Sequence, residues 1–156
     1  MRVSTATVTE LAALLPGRVA IDGPDAAGKT TLANALARHA GVPHLSADDF
    51  LAPEEVRHAD PSAEHYYAHA FDLPALRAAV LAHASVVVDG VFLFRPELDD
   101  LWDVRVFLDV DPEEQWRRVL ARDPEDVRAR YETRYRPAYT AYRAAVRPEE
   151  RADVVL

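Results

Sequence analysis

At 156 residues with 49% hydrophobic content, the chain is long enough for one domain with a substantial core. It has no cysteine, which excludes disulfides, thiolate metal sites and cysteine nucleophiles; no apolar run approaches the roughly 20 residues that span a bilayer. A net charge of −8 disfavours general nucleic-acid binding, which needs a basic face to displace counterions.

Thr7-Val8-Thr9-Glu10 has the form of a capping box, predicting a short helix to about Leu15, stopped by Pro16-Gly17. This start has no cationic segment followed by a long apolar one, so no secretory signal is expected and a cytoplasmic location is the default. Residues 18–22 form a short apolar run with β-branched side chains, suited to a buried strand. A glycine-bounded loop then leads into a helix to about His39, with apolar residues at 32, 33, 36 and 37. Residues 41–46 suggest a second short strand that delivers Ala47-Asp48-Asp49-Phe50 at its C-terminal end. Residues 52–72 are polar and proline-punctuated, and read as short helices and loops.

Leu73 to Ala84 is helical in pattern, residues 85–89 are a buried strand ending in an acid, and residues 104–109 are another strand. Pro112 holds a favoured first helical position, opening a helix to about Arg122. A further helix is predicted over 125–146, kinked by Pro137, with a last strand within 152–156. Strands alternating with helices predict an α/β layered fold with a mostly parallel sheet. Ligands of such sheets bind at the carboxyl ends of the strands, where Asp22, Asp48 or Asp49, Asp89 and Asp109 fall.

The loop after the first strand is Gly23-Pro24-Asp25-Ala26-Ala27-Gly28-Lys29-Thr30-Thr31, with the G-x-x-x-x-G-K-T spacing of a phosphate-binding loop. Lys29 is the only lysine; the other basic side chains among the 18 are arginines. An ammonium is a compact charge that reaches between phosphates where a planar guanidinium fits poorly. Strand, loop and helix together aim backbone N–H groups and a helix N-terminus at an anion. The Thr30 hydroxyl is placed for Mg²⁺. Asp22 reads as a residue that fixes the loop.

Phosphoryl transfer also needs a held Mg²⁺ and an oriented acceptor hydroxyl. Asp89, after Val86-Val87-Val88, has the form of an acid that reaches Mg²⁺ through water, against the plainer reading of a solvated strand end. Either Asp48 or Asp49 could take the acceptor's proton, the alternative being a helix-capping pair. Arg118 and Arg122 share a helix face, and Arg128 and Arg130 follow past Asp123-Pro124. They suit a lid over the transferring phosphate, or else a salt-bridged surface helix beside Glu113, Glu114, Glu125 and Asp126. Tyr131, Tyr135, Tyr139 and Tyr142 recur at helical spacing as a packing stripe. The six histidines show no ligand spacing with a supporting acid, and are read mostly as solvated or packing residues.

These stretches resemble the uridine kinase family of P-loop nucleoside and small-metabolite kinases, related to phosphoribulokinase. The likeness runs through 21–31, Ser46-Ala47-Asp48-Asp49-Phe50, Ala70-Phe71-Asp72 and Val88-Asp89-Gly90-Val91-Phe92. It continues through 106–111, Arg117-Arg118-Val119-Leu120-Ala121-Arg122-Asp123 and Ala152-Asp153-Val154-Val155. The resemblance implies a P-loop NTPase three-layer fold with a five-stranded sheet, in one domain over 1–156. A helical extension would occupy 1–17 and an arginine-bearing lid about 122–131. It implies that Asp48 activates the acceptor hydroxyl, that Thr30 and Asp89 attend Mg²⁺, and that Arg118, Arg122, Arg128 and Arg130 serve the lid. Ala121 stands as one residue inserted between the first two arginines, and Ala129 replaces a glycine of the later Arg-Gly-Arg.

The acceptor side would comprise Asp48, Asp49, Phe50, Arg57, Tyr66, Tyr67 and Phe71. There Tyr66-Tyr67-Ala68 replaces the family's Asp-His-Pro element and Leu51 replaces an aromatic, which departs from uridine recognition. Tyr66 and Tyr67 could stack on a base or pack under a loop; Arg57 could reach the acceptor or pair with Glu54 or Glu55. The expected activity is phosphoryl transfer from ATP or GTP with Mg²⁺ to a hydroxyl of a nucleoside-like molecule. The alternatives are a P-loop kinase of another small alcohol (a sugar, vitamin riboside, pantothenate or antibiotic) and a non-catalytic nucleotide sensor. The expected partners are a nucleoside triphosphate and a small acceptor, without nucleic acid or membrane; a homo-oligomer is compatible with the sequence.

Overall fold

The structure, a computed structural model, describes residues 5–156. Five strands carry the fold: β1 (Arg18–Asp22), β2 (His44–Ser46), β3 (Val86–Gly90), β4 (Val104–Phe107) and β5 (Val154–Val155). They form one sheet in the order β2-β3-β1-β4-β5, and every pairing is parallel. Parallel neighbours need crossovers, and helices supply them. After α1 (Thr5–Ala12), which precedes β1, the helices are α2 (Lys29–Ala40), α3 (Glu54–Arg57), α4 (Ala63–His69), α5 (Leu73–Leu81), α6 (Pro112–Arg122), α7 (Glu125–Arg130), α8 (Arg136–Val146) and α9 (Pro148–Arg151).

The period-2 alternation of a strand divides the core in two. On one face Val19, Ile21, Val87 and Val106 pack with Leu32, Leu36 and Ala37 of α2 and with Val8 and Leu11 of α1. On the other, Ala20, Val86, Val88 and Phe107 pack with Leu76 and Val80 of α5 and with Tyr139 and Tyr142 of α8. Both faces are covered, as an all-parallel sheet requires. The same alternation decides where the strand-end acids point: Asp22 follows Ala20 toward α8, whereas Asp89 follows Val87 toward α2.

Two elements differ from expectation, and a third takes the expected span in a particular form. The first helix begins at Thr5, so Thr7 lies inside it and not at its cap. Val8 and Leu11 of this helix pack in the cluster that α2 lines. The helix expected over 125–146 runs without a gap as α7, a π-helical segment over Tyr131–Tyr135, and α8. The widened π segment lies just before Pro137 and accommodates the residue that lacks an N–H. The short α9 was not expected; it follows Arg147, whose φ of 55° ends α8 in the left-handed region. No helix among the described residues is long and apolar enough to cross a membrane.

Candidate active site

The carboxyl ends of β1 and β3 open into a cavity of about 440 Å³. One wall is the loop from Asp25 through Thr31; the others include Asp48, Asp89, Arg118 and Arg122. Ala26 (φ 59°) and Gly28 (φ 92°) both adopt left-handed backbone, a pattern that turns successive N–H groups to one side and forms an anion-binding concavity. Gly28 is also the cap of α2, whose first turn begins at Lys29. Lys29 is buried to 9% exposure, and its ammonium donates to Pro24 O at 2.6 Å across the loop.

The loop is braced from both sides. From β1, Asp22 is fully buried; its Oδ1 accepts from Gly23 N at 2.6 Å. Its Oδ2 accepts from Tyr142 Oη at 2.5 Å and Leu93 N at 3.0 Å. Burial pushes the Asp22 carboxyl up to about 6, although the Tyr142 hydroxyl and the Lys29 charge pull the other way. From α6, Gln115 Nε2 donates to Asp25 O at 2.9 Å and Arg118 donates to Ala26 O at 3.1 Å. The tyrosine stripe of α8 therefore does more than pack. Nothing in helical periodicity marks those hydroxyls as donors to a strand end.

Thr30 Oγ1 donates to Asp89 Oδ2 at 2.7 Å, joining the first turn of α2 to the end of β3. A hydroxyl and a carboxylate are hard oxygen donors of the kind Mg²⁺ takes, and Mg²⁺ keeps several waters and substrate phosphates in its shell. Among the described residues no group of three or more His, Cys, Asp or Glu side chains forms a cage. The pair therefore fits a cation shared with a nucleotide.

Asp48 sits in the tight turn Ala47–Phe50 that follows β2. That turn lies against β3 because residue 90 has no side chain: a Cβ there would stand 2.5 Å from Ala47 Cβ. Gly90 thus lets Asp48 approach Asp89 within one cavity. Asp48 is open to the cavity yet walled by protein; desolvation first, then the Asp25 charge, raises its pKa. Asp49 is exposed and does not line the cavity.

Of the four lid arginines, Arg118 and Arg122 reach the cavity. Arg128 donates to Asp123 O at 2.7 Å and Arg130 lies 3.8 Å from Asp126, so neither lines it in this conformation. Both follow the break at Asp123-Pro124, which turns α7 away from α6. Asp109 pairs with Arg143 at 2.9 Å, so this fourth strand-end acid stands apart from the other three.

The acceptor-side residues also divide. Tyr66 packs on Phe92 and Tyr135 within electrostatic reach of Asp25 and Asp48, and burial raises its phenol pKa. Tyr67 lies under the Arg95 guanidinium and faces a separate cavity beside Ala138 and Tyr142. Phe71 is buried in the core and Phe50 packs against it. Arg57 Nε donates to Ala52 O at 2.8 Å and so binds its own segment. One histidine departs from the expectation of solvation or packing. His44 Nε2 is 2.5 Å from Asp89 Oδ1. Its position four residues before Asp48, at the start of a three-residue strand, was the available signal.

A family model described as an AAA domain matches residues 19–138, the span from β1 into α8. Among solved structures, that of a possible uridine kinase from Bacillus stearothermophilus superposes with a TM-score of 0.72 at 22% identity, over 96% of each chain. A provisionally assigned fructose transport system kinase from Silicibacter sp. TM1040 gives 0.70 at 20% identity, over 97% of each. The shikimate kinase of Bacteroides thetaiotaomicron gives 0.58 at 19% identity, over 90% of this chain and 85% of that one. At these identities the structures share the fold, a P-loop α/β sandwich, with its nucleotide-binding loop between β1 and α2. The chain belongs to the AAA domain family.

Proposed function

We propose that the protein is a small-molecule kinase that transfers the terminal phosphoryl group of ATP or GTP to an acceptor hydroxyl. The observation that supports this most is Asp48 in one cavity with Lys29, Thr30, Asp89 and two arginines. A sensor would need the loop; it would not need a carboxylate facing it from the turn after β2, one strand beyond β3. The fold shared with structures described as uridine, shikimate and gluconate kinases points the same way.

In this reading the loop amides and Lys29 cradle the β- and γ-phosphates, and Asp22 keeps the loop in register. Thr30 and Asp89 would hold Mg²⁺, which would offset phosphate charge. Asp48 accepts the proton of the acceptor hydroxyl as its oxygen attacks the γ-phosphorus, and the bond to the bridging β–γ oxygen breaks. A carboxylate whose pKa is raised is a stronger base than an ordinary one, which suits this step. Arg118 and Arg122 stabilise the charge spread over the transferring oxygens. The nucleoside-like acceptor is the finer part of the proposal; Tyr66, packed on Phe92 and Tyr135, is not among the residues that line the cavity, and the acceptor class is left to the experiment below.

The test is a panel of nucleosides, sugars and other small alcohols incubated with ATP and Mg²⁺ and read by mass spectrometry. The proposal expects one acceptor class to gain a single phosphoryl group. Nucleotide binding with no acceptor modified and no acceptor-stimulated hydrolysis would favour the sensor.

A further inference from the structure

His44 stands in a closed ring of side chains. Thr30 and Asn34 are one helical turn apart on α2 and project to the same side. Thr30 Oγ1 donates to Asp89 Oδ2 at 2.7 Å, and Asp89 Oδ1 lies 2.5 Å from His44 Nε2. His44 Nδ1 lies 3.0 Å from Asn34 Oδ1, which returns the chain to α2. The ring ties α2, β2 and β3 together at their shared end. Asp89 is almost wholly buried, with 3% of its side chain exposed, while His44 is exposed to 18%. Both carboxylate oxygens are therefore engaged from opposite sides, by an alcohol and by an imidazole. An ionised carboxylate only accepts hydrogen bonds, so Nε2 carries the proton toward it; Nδ1 is then an acceptor, and it takes its bond from the Asn34 carboxamide turned to present its NH2 group.

We infer that His44, held by Asn34, is a positioning residue that fixes the Asp89 carboxylate for the Mg²⁺-bound nucleotide. This rests on the reading of Thr30 and Asp89 as the cation site. A buried Asp side chain with one oxygen free could rotate about χ2 and turn its second oxygen away from Thr30. Donation from His44 removes that freedom. The arrangement is that of an outer partner orienting a carboxylate beside a cation, where loss of the partner lowers metal affinity by about tenfold to a hundredfold. His44 opens β2, and the turn bearing Asp48 follows that three-residue strand directly. One imidazole thus links the phosphate side of the cavity to its acceptor side.

The experiment is calorimetric titration of the full chain with ADP, in excess Mg²⁺ and again in EDTA. The wild type should bind ADP more tightly with Mg²⁺. His44→Ala should lose about tenfold or more of the affinity in Mg²⁺ and keep its affinity in EDTA. His44→Gln, which retains an N–H donor at similar reach, should recover most of the loss. Asn34→Ala, an exposed change, should show a smaller loss in the same direction and serves where His44→Ala does not fold. Equal losses in Mg²⁺ and EDTA, or none in either, would overturn the positioning role. A wild type indifferent to Mg²⁺ would instead overturn the cation site itself, whatever the variants do.

Discussion

Asp22 never reaches the cavity wall, yet it governs the loop from behind. Its carboxyl holds its proton to about 6, whereas an unfolded chain would release it near the ordinary 3.8. The folded state therefore binds more protons between those values, so this group's contribution to stability falls as pH rises through that window. A shift of this size is worth up to about 3 kcal/mol. Asp22→Asn keeps an oxygen for Tyr142 and removes the titration. Relative to wild type, the variant should gain about that much between about pH 4 and pH 6 in denaturant unfolding. A difference that does not change with pH would mean that Asp22 titrates normally. Lys29 permits a second test at this scale, since it is the only lysine. Amine-selective labelling of its ammonium should be blocked by ATP, with the α-amino group as internal control; equal labelling with and without nucleotide would contradict the loop assignment.

At the scale of elements, one contact sets the position of Asp48. The turn carrying Asp48 nests against β3 only because residue 90 lacks a Cβ, which would stand 2.5 Å from Ala47 Cβ. Gly90→Ala should push the turn outward, destabilising the fold by about 1–3 kcal/mol as overpacking does. It should also impair transfer more than nucleotide binding, because the loop is on β1. Loss of nucleotide affinity with transfer per bound nucleotide intact would refute that division.

The second element is the lid proposed over residues 122–131. α7 buries none of its residues, so its local opening should cost little. Arg128 and Arg130 are engaged with Asp123 and Asp126, and must leave those partners to meet a phosphate. Hydrogen exchange over residues 122–131 should slow when nucleotide and Mg²⁺ are added, while β1 and β3 stay protected throughout. Exchange there that ignores nucleotide would remove Arg128 and Arg130 from the site.

At the scale of the whole molecule, the sheet and the loop were legible because their signals are local. The apolar run at 18–22, the glycine spacing and Lys29 each lie within a few residues of one another. The parallel character of the sheet followed from alternating strand and helix patterns; the strand order β2-β3-β1-β4-β5 came only with the structure. What the sequence concealed depends on distant pairs: Tyr142 is 120 residues from Asp22, and His44 is 45 from Asp89. No periodicity encodes such meetings, and a lone histidine on a short strand resembles any solvated one. The lid was half legible for the same reason. Helical spacing puts Arg118 and Arg122 on one face, but the turn at Asp123-Pro124 and the wide turn at 131–135 decide where Arg128 and Arg130 go.

The central claim is that Asp48 acts on an acceptor hydroxyl beside a nucleotide held by the loop. Asp48→Asn keeps size and shape and removes the base. Its affinity for ATP with Mg²⁺, measured beside its single-turnover transfer rate with the acceptor identified for the wild type, tests this most directly. The account predicts unchanged binding and transfer slower by about 10²–10⁴-fold. Transfer at the wild-type rate would contradict it.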